Sequence, residues 1–428
     1  MVPSLFALRA LGKVAYMACF KISLSALFVG FVMAAAAAAS DMTPGDLLIY
    51  RVGDGLSGLA STGDPVFLDE YTPSGTLVQS FNVPTAPSGA NYALFASGKA
   101  TSEGMLTLSA DGQFVTFTGY ASLSSGAASL ASSSAADINR VVGIVDAHGN
   151  IDTSTALSDF SDGNNPRSAV TTNGTDIWVS GAGGGVRYTT RGATTSLQLN
   201  SSISNSTQVN IFGGQLYFAS NKNPARGLNS MGTGLPTTSG QTFSNLVLAT
   251  TADTFDSFYL ADLNNSPGPD TMYVCDESAG ILKYSLFDGT WWPEGGVGLA
   301  TDVYRGLTGE VQNGNVTLFA VRNGGGGASG GGSLVSVTDT SGFGNIMNGN
   351  VADLADAAPD TAFRGVSLVP VATTPEPSTL ALLAAAAFGL LGYGWRRRAA
   401  RAAVATENVA ASVLPFASHQ AEATRRAA

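Results

Sequence analysis

The chain has 428 residues, of which 52 are glycine, and only 12% carry charge. From Asp41 to Ala372 there are 28 acidic against 12 basic side chains, a formal charge of −16, and so acidic a segment repels polyanions, which excludes a nucleic-acid partner. Two cysteines (Cys19, Cys275) and two histidines (His148, His419) exclude an internal disulfide framework and a zinc site built from His and Cys.

At the N-terminus, Arg9, Lys13 and Lys21 precede an apolar run from Ile22 to Met33, and Ala34 to Ala39 supply small residues before Asp41. Positive region, apolar core and A-x-A-like end make residues 1–39 an export signal, with cleavage expected near Ser40.

Residues 41–370 read as an all-β body. Short apolar or alternating runs follow one another: Leu47 to Val52, Val66 to Tyr71, Thr76 to Phe81, Met105 to Leu108, Phe114 to Phe117 and Val141 to Val145. Turn residues separate them at Pro73-Ser74-Gly75, Asp111-Gly112 and His148-Gly149-Asn150, which is the spacing of antiparallel meanders. A looser repeat continues through Asn173 to Val179, Phe212 to Ala219, Asp270 to Asp276 and Asn313 to Ala320, each a turn followed by a strand that carries an aromatic. Second arms follow at Gly184 to Tyr188, Gly280 to Tyr284 and Gly332 to Val337. The spacing resembles that of four-stranded propeller blades and predicts a single β-propeller of about six or seven blades, with tandem β-sandwiches or a β-helix as alternatives. The late run Arg364 to Val369 is expected to pair with Leu47 to Val52 and close the ring.

Few residues in this body invite chemistry. His148 is the one possible imidazole base of the body and lies at a hairpin tip. Asp262, Asn264, Ser266 and Asp270 place oxygen atoms at alternate positions before and after Pro267-Gly268, a weakened form of a calcium loop, and calcium is the only cofactor the sequence offers. The glycine-rich run Asn323 to Gly332 lacks the Lys-Ser/Thr of a phosphate loop. Trp291-Trp292 is a possible sugar-stacking pair, and Cys275 in a central strand reads as a small buried hydrophobe.

The C-terminus is the most specific region. Residues 371–378 form a Pro-rich linker with Pro375-Glu376-Pro377; the apolar run 379–395 follows, read as a transmembrane helix; Arg396, Arg397 and Arg398 then open the basic tail 396–428, expected to stay cytoplasmic. This order of Pro-Glu-Pro, apolar helix and arginine cluster, over residues 373–398, resembles the PEP-CTERM sorting signal. The resemblance implies recognition of Pro375, Glu376 and Pro377 by an exosortase-like processing enzyme, membrane attachment through the helix with Arg396 to Arg398 setting topology, and delivery to the cell surface or extracellular matrix.

The expected function is therefore that of an exported surface protein whose propeller binds or scaffolds without catalysis, with extracellular polysaccharide as a possible partner. The alternatives are a polysaccharide hydrolase or lyase using paired carboxylates in the channel, and a stalk with no ligand.

Overall fold

The computed structural model describes residues 40–122, 129–264, 266–372 and 382–404. The expected signal segment 1–39 and the Pro375-Glu376-Pro377 motif lie outside these residues.

The body is all-β and propeller-like. Four free-standing, four-stranded antiparallel sheets follow in chain order. They run from Pro166–Thr171 to Leu197–Gln198, from Ser206–Phe212 to Phe243–Leu248, from Phe255–Ala261 to Thr290–Val297, and from Tyr304–Gln312 to Ala352–Asp356. The remaining strands form one continuous ten-stranded sheet. It contains two further meanders: Thr361–Leu368 with Leu47–Val52, Asp64–Tyr71 and Leu77–Asn82, and Thr107–Leu108 with Phe114–Tyr120, Arg140–Asp146 and Ile151–Leu157.

Here the structure corrects the expected count of six or seven separate blades: four stand free. The short strand Phe95–Ala96 bonds to Asp64–Tyr71 on one side and to Tyr120 on the other, which fuses the other two meanders. Strand pairing is antiparallel except between Gly330–Gly331 and Thr361–Leu368, so the parallel ladders of a β-helix are absent among the described residues.

Local chemistry explains the tight turns. Asn313-Gly314 and Asp288-Gly289 hold positive φ at both residues (54° and 78°; 48° and 79°) and bring Gln312 opposite Asn315 and Phe287 opposite Thr290. Such two-residue turns match the right-handed twist of the paired strands and need residues that tolerate positive φ. Alternation along each strand then sends apolar side chains into six hydrophobic clusters, one between each successive pair of meanders.

The first strand of each meander lies innermost, and these strands run side by side in one direction. Met105 N donates to Arg167 O, Arg167 Nη1 to Ser206 O, and Thr207 Oγ1 to Phe255 O. The closing strand Thr361–Leu368 lies between its neighbours at van der Waals limits. A Cβ on Gly306 would sit 3.0 Å from Gly365 Cα, and one on Gly365 would sit 2.3 Å from Gly104 O. Thr361–Leu368 pairs with Leu47–Val52 from Ala362↔Val52 to Leu368↔Leu47, so the expected closure is observed. Beyond it, Val371 N donates to Gly112 O, so the chain leaves the ring at the end where the inner strands finish.

Residues 382–404 form a helix whose described side chains are all exposed, with the Arg397 guanidinium 5.3 Å from the Tyr393 ring centroid. Its apolar part, from Leu382 to Trp395, extends about 21 Å at 1.5 Å per residue, short of the ~30 Å hydrocarbon layer. No described helix is long and apolar enough to cross a membrane, and Thr379 to Ala381 of the expected span lie outside the described residues.

The close approach at Gly365 has a direct consequence. Gly365→Ala forces a methyl into the Gly104 carbonyl and should cost about 1–3 kcal/mol of stability by overpacking. Urea denaturation will measure it; an unchanged midpoint would contradict the observed spacing.

Candidate functional site

Three inner strands carry the same triplet, at the start of two of them as Phe255-Asp256-Ser257 and Tyr304-Arg305-Gly306 and two residues into the third as Phe363-Arg364-Gly365. A fourth begins Pro166-Arg167-Ser168, and Glu103-Gly104 precedes the inner strand Thr107–Leu108. The aromatic residue enters the core between sheets, and the small residue lets neighbouring strands approach. The charged residue between them falls at the same level in each strand. Because the strands run in one direction, the ring gathers Glu103, Arg167, Asp256, Arg305 and Arg364 at one end of the central channel.

Their contacts differ in kind. Arg364 is buried and donates from Nη1 to Gly325 O and from Nη2 to Gly98 O, both at 3.0 Å, so it ties two loops to the closing strand. Glu103 is also buried; its Oε1 accepts from Ser97 N at 2.5 Å and its Oε2 from Tyr120 Oη at 2.8 Å. Arg305 is different: its Nε lies 2.5 Å from Glu277 Oε1 and 3.5 Å from Asp256 Oδ2, and its terminal nitrogens make no hydrogen bond to the described residues. Arg167 uses only Nη1, on Ser206 O at 3.3 Å, and leaves Nε without a partner. Asn221 reaches Asp256 Oδ1 weakly at 3.5 Å, while Asn221 Oδ1 and Asp256 Oδ2 accept no hydrogen bond.

Burial dominates the electrostatics of this mouth. It pushes the Glu103 carboxyl up to about 8, against the pull of the Tyr120 hydroxyl and the Arg364 charge. It pushes Asp256 well above the usual carboxylate range, with the Glu277 charge beside it acting in the same direction and Arg305 and Arg167 opposing. It lowers Arg167, and lowers Arg364 to about 10. Burial thus favours the neutral form of Glu103 and Asp256 beside three guanidiniums.

The other cavities lack this character. One of about 680 Å³ is lined by residues such as Pro87, Gly89, Asn91, Tyr92, Ser154 and Thr194, with no charged side chain among its described lining. A cavity of about 190 Å³ at the opposite end of the channel is bounded by Leu106, Phe212, Phe258, Tyr259, Leu307 and Leu368.

The residues singled out from sequence lie elsewhere. His148 is exposed on a turn, with Nδ1 2.8 Å from Asp41 Oδ1. In the expected calcium loop, Asp270 accepts backbone N–H bonds from Leu263 and Asn264 at 2.7–3.0 Å and the Thr271 hydroxyl at 2.7 Å. Asn264 Oδ1 accepts Ser266 N, and Asp262 is exposed. This donor set holds the loop by itself. No group of three or more His, Cys, Asp or Glu side chains poised for a metal occurs among the described residues. Trp291 packs beside the core while Trp292 is exposed, and Cys275 is buried with its thiol pushed up by burial. Arg396, Arg397 and Arg398 stand exposed on the C-terminal helix.

That helix is the end of the one segment with a recognised match. Residues 373–398 match the PEP-CTERM protein-sorting motif. Such motifs mark proteins for export and surface sorting and are recognised by exosortases, which supports an exosortase as a partner. No curated protein matches the chain.

Among solved structures, the body is similar to the periplasmic gluconolactonase PpgL of Pseudomonas aeruginosa, with 9% identity and a TM-score of 0.37 over 73% of this chain and 83% of that one. It is also similar to the extracellular domain of a one component system from B. thetaiotaomicron, with 10% identity and a TM-score of 0.37 over 79% of this chain and 44% of the other.

The charged mouth went unpredicted, although the recurring aromatic–charge–small triplet signals it. It carries a pH effect. The folded chain keeps on Glu103 a proton that the unfolded chain releases around the ordinary value of 4.5, so this contribution is complete below about pH 4.5 and is lost as pH rises to about 8. Glu103→Gln keeps a neutral group there. Its stability relative to the wild type should therefore rise between about pH 5 and about pH 8 in urea titrations. A difference that stays constant with pH would contradict this.

Proposed function

We propose that this is an exported cell-surface or matrix protein whose propeller-like body binds a ligand without catalysis, and that the C-terminal motif delivers it. The match of residues 373–398 to the PEP-CTERM motif carries the reading. In it, Pro375, Glu376 and Pro377 are the segment an exosortase reads. Residues 379–395 hold the precursor at the membrane, and Arg396 to Arg398 keep the following tail on the cytoplasmic side.

The body's acids favour binding over hydrolysis. The two carboxyl groups that meet at the channel mouth are not free: Glu277 is paired with Arg305 at 2.5 Å, and Asp256 is 2% exposed. A glycosidase needs one carboxylate open as base or nucleophile and another positioned as acid. The chain's exit from the ring also lies at the end opposite this mouth, which leaves the mouth directed away from the point where the sorting tail begins.

Glu376→Ala tests the delivery step in a host that carries the exosortase. Membrane insertion should be unchanged, since the apolar run and the arginines set it, but the protein should accumulate at full length in the membrane fraction. Processing and surface display equal to wild type would reduce the segment to a simple anchor.

A further inference from the structure

We propose that Arg167 and Arg305 form a binding site at the channel mouth for a sugar acid, a polyhydroxylated ligand bearing a carboxylate. The proposal rests on the reading of the body as a binding module and names its ligand class.

Two buried cations elsewhere, Lys283 and Arg140, are fully used. Lys283 uses its ammonium on Asp339 Oδ2 at 2.8 Å, Ser341 Oγ at 2.7 Å and Gly342 O at 2.7 Å. Arg140 donates from all three nitrogens, to Ser133, Ile138, Ser161 and Asn164. These cations are complete and hold loops in place. Arg167 and Arg305 are incomplete, although each guanidinium offers five donors. Arg305 has no protein acceptor for its terminal nitrogens among the described residues, and Arg167 has one at 3.3 Å. Neither is fully buried, and the Arg305 side chain keeps 16% of its surface open.

Guanidinium donors on two strands suit a carboxylate, which accepts paired N–H bonds. An inorganic oxyanion accepts as well, but it leaves an acceptor of this mouth unanswered. Asn221 Oδ1 has no hydrogen-bond partner, and a buried acceptor of this sort is rare unless something supplies a donor. A hydroxyl both donates and accepts, so a carboxylate flanked by hydroxyls matches donors and acceptors together. Arg364 takes no part, because its terminal nitrogens are spent on Gly98 and Gly325.

The test is calorimetric titration of the purified full-length chain with sodium glucuronate, glucose and inorganic phosphate. Glucuronate should bind saturably, glucose should not bind, and phosphate should compete only weakly. Arg167→Lys and Arg305→Lys keep the charge but lose the fork, and each should weaken glucuronate by about tenfold or more while leaving the unfolding midpoint unchanged. Absence of saturable glucuronate binding to the wild type would overturn the proposal, and so would equal binding of glucose, phosphate competing as strongly as glucuronate, or folded variants that bind like wild type. Should a variant fail to fold, the wild-type ligand ranking decides alone. Failed surface delivery with intact glucuronate binding would count against the sorting reading only, whereas normal delivery without glucuronate binding would sink this inference only.

Discussion

The structure depends on one seam, the pairing of the last strand with the first. Thr361–Leu368 and Leu47–Val52 are separated by most of the chain, so joining them costs the loop entropy of nearly the whole body. The seam offsets that cost with an antiparallel ladder of five residue pairs, interrupted by one register shift between Ile49 and Arg51, and with a cluster in which Leu47 and Ile49 pack with Phe363 and Val366. It also leaves no open edge between the first and last meanders, which a body exposed outside the cell needs in order not to pair with its neighbours. With Gly365 lodged against Gly104 and Gly306, the closing strand completes the innermost circle and sets the level at which the charged side chains meet.

Charge at the mouth is less completely paired than in two buried networks elsewhere in the body. Lys283 bridges two sheets through Asp339, with Tyr273 Oη also donating to that carboxylate at 2.7 Å. Arg140 gathers the carbonyls of loops near Ser133 and Ser161. Each is a local network that satisfies itself, and such networks stiffen a fold when complete. At the mouth, by contrast, strand geometry brings three guanidiniums and several carboxyls together because they occupy equivalent places in the repeat. Their pairing is partial.

What the sequence disclosed follows from how local each signal is. The runs Leu47 to Val52, Val66 to Tyr71 and Val141 to Val145 alternate or bunch their apolar residues, and all became strands. Asn313-Gly314 announced its hairpin through backbone chemistry. The sorting motif was legible because it is contiguous. The strand Phe95–Ala96 was not, since two residues carry no period, and missing it hid the fusion of two meanders. In the loop from Asp262 to Asp270 the alternating oxygens were noticed, but in the fold Asp270 turns its carboxylate to backbone amides. The charged mouth escaped because Arg167, Asp256, Arg305 and Arg364 are far apart in the chain and meet only after the ring closes.

Amide hydrogen exchange on the full-length chain tests the closed ring most directly. If the seam is the element on which the body depends, the amides of Thr361–Leu368 and of Leu47–Val52 exchange only through global unfolding and share the slowest rates of the molecule. Fast exchange of Thr361–Leu368 alongside protected strands in the four free-standing sheets would show that the ring opens at the seam while the rest stays folded, and would contradict the account.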